Sequence, residues 1–139
     1  MKPLTSTGYA PDFDVDNRRG AVGENLVGTV LEAAALSTIE VKTDWGAWRT
    51  GNHYVETWQQ GRDGEWRPSG LNTTKASWWA IAGPTGRGLL IVPVELLREL
   101  AAEAPESAQP ISSSSTSATR GRLVQLEAIV AAVFARADA

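Results

Sequence analysis

The chain has 139 residues, thirteen basic against sixteen acidic, with a formal charge of −3; that is the size of one domain able to bury a core. With no cysteine and a single histidine, counting alone excludes disulfide frameworks, thiolate zinc sites, cysteine nucleophiles and multi-histidine metal sites. The acidic balance argues against gripping nucleic acid through bulk positive charge, while leaving room for a local basic groove.

Met1 to Asp14 is polar and holds Pro3, Gly8 and Pro11, so it lacks the apolar core of a secretory signal. No window approaches the roughly 18 apolar residues of a membrane span. A cytoplasmic protein is the expectation. After an extended, acidic lead-in, Ala21 to Leu36 takes on helical period, with Val27, Val30, Leu31 and Ala34 at i, i+3, i+4 and i+7. Ser37 to Asp44 alternates Ile39, Val41 and Thr43 against Thr38, Glu40 and Lys42, a half-buried strand. His53 to Gln59 is a second β-rich run, and the residues between, Trp45 to Asn52, predict a hairpin with a longer loop.

Gly61 to Gly64 and Pro68 to Gly70 are punctuation, and Thr73 or Thr74 is expected to cap a short helix through Lys75 and Ala76. Trp78 to Ala82 and Leu89 to Val94 read as strands, joined by a glycine-rich turn that lacks the Gly-Lys-Ser/Thr ending of a phosphate loop. Glu95 to Ala104 predicts a helix that begins after Pro93 and stops at Pro105. Residues 105–119, with their serine tract, predict a mobile loop. Residues 120–139 should dock on the core through a helix from Leu123 to Ala137, whose first residues are open to being a short strand. The expectation is a single α/β domain over residues 1–139.

The residues that carry chemistry cluster near the first helix and strand. On a helical wheel of about 100° per residue, Glu24 lies within about 20° of Leu31 and Ala35, so it shares the apolar arc. Acids also suit helix amino termini, which is the plain reading of Glu24 alone. In Ile39-Glu40-Val41-Lys42, period two puts Glu40 and Lys42 on one strand face. Alone, such a pair reads as a surface salt bridge worth less than about 1 kcal/mol. Together, two carboxylates and one lysine at one locus suit Mg²⁺ or Mn²⁺, which bind through carboxylates, waters and substrate phosphates. The metal would acidify a bound water while the lysine orients the attack and stabilises the developing charge on phosphorus.

These residues resemble the PD-(D/E)xK, or restriction-endonuclease-like, nucleases, in particular small phage-encoded members of the Holliday-junction-resolvase type. The resemblance runs from about Phe13 to Val94 and rests on Gly23-Glu24, Ile39-Glu40-Val41-Lys42-Thr43-Asp44, Thr50-Gly51-Asn52 followed by Tyr54-Val55-Glu56, Pro68-Ser69-Gly70-Leu71 and Thr74-Lys75-Ala76-Ser77-Trp78-Trp79. It implies a mixed β-sheet flanked by helices, with a tryptophan-rich hairpin, acting as a Mg²⁺-dependent DNA endonuclease. Glu24, Glu40 and the Val41 carbonyl would be metal ligands and Lys42 the catalytic lysine. Members of the family usually carry a hairpin aspartate between the helix and the Glu-x-Lys strand, but only 15 residues separate Glu24 from Glu40 and most belong to the helix. Asp14, Asp16, Asp44 and Glu56 are the candidates to complete the site, Asp44 the best placed by strand parity.

All six tryptophans lie between residues 45 and 79. Trp78 and Trp79 read as packing, while Trp45 and Trp48, beside Arg49, suit stacking on unpaired bases as well as they suit packing. Asn52, Ser69 and Lys75, from the segments that carry the resemblance, join Trp45, Trp48 and Arg49 as candidate nucleic-acid contacts. Between Arg18 and Arg87 there are eight basic residues against seven acidic ones, so assigning Glu24, Glu40 and Asp44 to metal leaves a net positive track, which Arg120 and Arg122 extend. His53, without a histidine or cysteine partner, is expected to hydrogen-bond or position rather than ligate. A junction substrate implies a homodimer, because two symmetric cuts need two sites. The alternatives are a non-cleaving nucleic-acid-binding or regulatory protein of the same fold, and a protein-binding adaptor that uses the tryptophan-rich hairpin and the last helix.

Overall fold

The computed structural model describes residues 38–83, 88–111, 116–137 and 139. The expected first helix, the lead-in, Glu24, Asp14, Asp16 and Ser112 to Ser115 lie outside the described residues. Strand β1 (Ile39–Thr43) runs parallel to β4 (Trp78–Ala82), which pairs antiparallel with β5 (Leu89–Pro93), giving a three-stranded mixed sheet in the order β1-β4-β5. A second sheet, wholly antiparallel, takes β3 (Trp66–Pro68), β2 (Asn52–Gln60), β7 (Thr119–Gln125) and β6 (Glu106–Gln109) in the order β3-β2-β7-β6. Helices α1 (Trp45–Thr50), α2 (Val94–Glu103) and α3 (Leu126–Ala137) complete an α/β fold. No helix among the described residues is long and apolar enough to cross a membrane.

The core gathers Val55 and Val124 from the antiparallel sheet, Trp79, Ile81 and Val92 from the mixed sheet, Leu97 from α2 and Ile129 from α3, all essentially excluded from water. Burying a side chain of that size contributes about 1.5–3 kcal/mol. Helix α2 begins where the sequence places it, with Pro93 at its N-cap, and it buries Leu96, Leu97 and Ala101 along one stripe.

Three expectations are corrected. Trp45 to Asn52 is not a hairpin loop, and β1 and β2 belong to different sheets. Asp44 accepts a hydrogen bond from the Ala47 N–H at 2.9 Å, and Gly51, at φ 79°, returns its own N–H to the Ala47 carbonyl at 2.7 Å. An N-cap aspartate and a left-handed glycine on either side of a six-residue helix therefore close α1, which redirects the chain from one sheet to the other. The helix expected at Thr73 or Thr74 is replaced by a 3-10 turn at Gly70–Asn72, where Leu71 is buried; Thr74 caps only a local turn, through the Ala76 N–H. Within the expected loop, Glu106–Gln109 forms an edge strand, because β7 offers it a free edge to pair with.

Strand β1 forms where the alternation predicts, but the face it turns to the core is the one that bears Glu40 and Lys42, not the apolar one. Register pairs Glu40 with Trp79 and Lys42 with Ile81, so the charged pair stands on the face of the mixed sheet that carries the core. Val41, on the opposite face, is 61% exposed.

Candidate functional site

A charged pair on the core-bearing face of a strand calls for a reason, since burial penalises unpartnered charge. Here the two charges satisfy each other: Lys42 Nζ lies 2.6 Å from Glu40 Oε1, with the side chains 40% and 36% exposed. The ammonium also sits 5.4 Å from the centroid of the Trp79 ring, within cation–π range. Both groups are open to a ligand from solvent and backed by a buried indole.

That indole is the first member of a network that passes from one sheet to the other. Trp79 Nε1 donates to His53 Nε2 at 3.1 Å, and His53 Nδ1 lies 2.8 Å from Asp44 Oδ2. An indole N–H only donates, so Nε2 accepts and the imidazole proton resides on Nδ1, which donates to Asp44. Asp44 also accepts from the Tyr54 N–H at 3.1 Å as well as from Ala47. His53 is 1% exposed. Burial pushes its pKa down, the bond to Asp44 opposes that, and the Lys42 charge reinforces it. Burial alone would raise the Asp44 carboxyl, but the bonds from His53, Ala47 and Tyr54 together hold it below its ordinary value. The lone histidine is thus a neutral, fixed tautomer that ties β2 to β4 and to the start of α1.

The β1–β4 ladder also orients the Val41 carbonyl. Thr38 accepts from Trp78 and the Asp44 N–H donates to Ala82, so even-numbered residues turn their backbone groups toward β4. Val41, an odd position, directs its carbonyl to the other edge of β1, which is unpaired among the described residues. Glu40 and this carbonyl are oxygen donors of the kind a hard divalent cation accepts. Among the described residues no three His, Asp or Glu side chains gather into a metal-sized group. Asp44, at the end of the same strand, has both oxygens engaged as an N-cap and histidine partner.

The remaining candidates divide. Trp45 is 65% exposed at the start of α1, and Arg49 is exposed in its last turn. Trp48 instead packs against Gly83 and Gly88, so close that a Cβ on Gly83 would come within 2.6 Å of its indole nitrogen. Asn52 opens β2, with its amide donating to the Thr50 carbonyl at 3.3 Å. Ser69 donates to Glu56 Oε1 at 2.5 Å, and Gly70, at φ 50°, is pressed against the Glu56 backbone. The Glu56 and Ser69-Gly70 segments are therefore one structural unit, and no hydrogen bond or ion pair among the described residues joins it to Glu40 or Lys42. Lys75 is exposed beyond the 3-10 turn.

The Trp79–His53–Asp44 network is absent from the sequence reading. Its signals were the single histidine two residues before the buried Val55, which shares its strand face, and an aspartate three residues before Ala47. Comparison with protein-family models, curated proteins and solved structures finds no match.

Proposed function

We propose that the chain is a Mg²⁺- or Mn²⁺-dependent DNA endonuclease of the restriction-endonuclease-like class, acting in the cytoplasm. The observation that supports it is the Glu40–Lys42 pair on the core-bearing face of β1, half-exposed, with the Val41 carbonyl directed to the strand edge that is unpaired among the described residues. Glu40 and the Val41 carbonyl would hold the ion, with Glu24, and the ion would supply charge neutralisation and an acidified water. Lys42, steadied by the Trp79 ring, would orient the attacking water and stabilise charge on the phosphate. Branched or junction DNA is the substrate to test first, and it calls for a homodimer so that two cuts are made.

Linear, flap and four-way-junction DNA incubated with Mg²⁺, Mn²⁺ or EDTA provide the test. Cleavage should require the ion and fall about a hundredfold or more in Lys42→Ala and Glu40→Gln. Undiminished cleavage by both variants would sink the assignment. A non-cleaving nucleic-acid-binding protein of the same class is the second reading, favoured by Asp44, whose two oxygens are already engaged by three donors. DNA binding without cleavage in either ion decides for it.

A further inference from the structure

The antiparallel sheet extends further than the core that covers it. His53, Val55 and Val124 share one face and are buried. Beyond the β-bulge between Glu56 and Trp58, register continues that face through Trp58, which pairs with Arg120, and Arg120 in turn pairs with Ala108. Gln60, two residues past Trp58, pairs with Trp66. Side chains from all four strands thus line one open groove of about 510 Å³, Arg122 and Glu106 among them.

The chemistry of the groove is specific. Trp58 keeps 40% of its surface in solvent. The Arg120 guanidinium reaches across β2 to lie 4.0 Å from the Trp66 ring centroid and makes no ion pair among the described residues. Stacking occupies the guanidinium plane and leaves its N–H edge free, and that edge suits bidentate phosphate binding. Glu106, the acid lining the groove, is paired with Arg122 at 3.1 Å. Two arginines against one glutamate leave the groove net positive. An exposed aromatic face beside an unpaired guanidinium fits an unpaired base and its phosphate. A duplex hides its base faces, and a proline-rich peptide would leave the cation unused.

We propose that this groove binds single-stranded DNA, with a base stacked on Trp58 and a phosphate on the free edge of Arg120. The proposal rests on the nucleic-acid reading above but not on cleavage, and binding in EDTA separates the two. Fluorescence anisotropy of a short labelled oligo(dT), titrated with the full chain in EDTA, should show binding that weakens with salt and is not displaced by duplex of equal length. Trp58→Ala should weaken it about tenfold or more, the usual effect of removing one stacking platform. Arg120→Ala should weaken it and flatten the salt dependence, and Arg120→Lys should restore the salt dependence but not the full affinity. Urea unfolding verifies that each variant is folded; should Trp58→Ala fail to fold, the Arg120 pair carries the test. Unchanged affinity in folded variants would overturn the proposal, as would a loss confined to Trp45→Ala. Binding of a proline-rich peptide with no oligonucleotide binding would overturn it too.

Discussion

Replacing Asp44 by alanine removes three hydrogen bonds at once, and the structure allows the cost to be apportioned. Loss of the N-cap to Ala47 costs about 1 kcal/mol, within a range of about 0.5–2. The His53 Nδ1–H, on a side chain 1% exposed, is left buried without an acceptor, a penalty of about 1–3 kcal/mol. The Tyr54 N–H, on a half-buried residue, can recover part of its loss from water. Together these come to about 2–5 kcal/mol, a large share of the roughly 5–15 kcal/mol that stabilises a domain. Urea unfolding followed by tryptophan fluorescence measures it. Asp44→Asn, which keeps a capping oxygen for Ala47 but turns an amide N–H₂ toward both the His53 and Tyr54 donors that share Oδ2, should lose less by the cap's share, about 1 kcal/mol. If Asp44→Ala lowers stability by less than about 0.5 kcal/mol while abolishing metal-dependent cleavage, the network reasoning fails and Asp44 is a ligand.

Acid should destabilise the fold through the same network. The unfolded histidine takes up a proton near the ordinary value of 6.5, whereas folded His53 does so only at lower pH. Between the two, the unfolded state binds more protons, so stability falls with falling pH by up to about 1.4 kcal/mol per pH unit. Asp44, held below 3.8, adds a further loss in stronger acid. His53→Gln should abolish the upper limb of a stability–pH curve, and an unaltered limb would place it in other groups. Gly70→Ala should cost about 2 kcal/mol or more in urea unfolding, because at φ 50° its Cβ would meet the Glu56 carbonyl oxygen at 2.3 Å. Gly51→Ala, at φ 79° with nothing within 4 Å, should cost only about 1 kcal/mol. Equal losses at the two glycines would contradict this.

Much of the secondary structure was legible because it rests on local signals. Period two in Ile39 to Thr43, the β-rich composition of His53 to Gln59, and the Pro93-to-Pro105 frame around α2 depend on neighbours a few residues apart. The helix α1 was hidden because it is only six residues long and buries a single residue, Ala47, so the caps at Asp44 and Gly51 carried the signal instead. Strand β6 was hidden for the opposite reason. Glu106-Ser107-Ala108-Gln109 has little tendency to form a strand, and only the unpaired edge of β7 makes it one.

The candidate site divides along the same line. That Glu40 and Lys42 share a face follows from the pleat alone, and that cysteine chemistry and multi-histidine metal sites are foreclosed follows from counting. Which way that face turns is set by the parallel register with β4, which brings Trp79 and Ile81 beside the pair. Likewise the residues Asp44, His53 and Trp79 are each visible in the chain, but 35 residues separate the first from the last, and only the meeting of the two sheets makes them a single hydrogen-bonded unit. Trp58, Trp66 and Arg120 meet for the same reason: a strand's pattern states which residues stand together on its face, and the pairing of distant strands decides what that face meets.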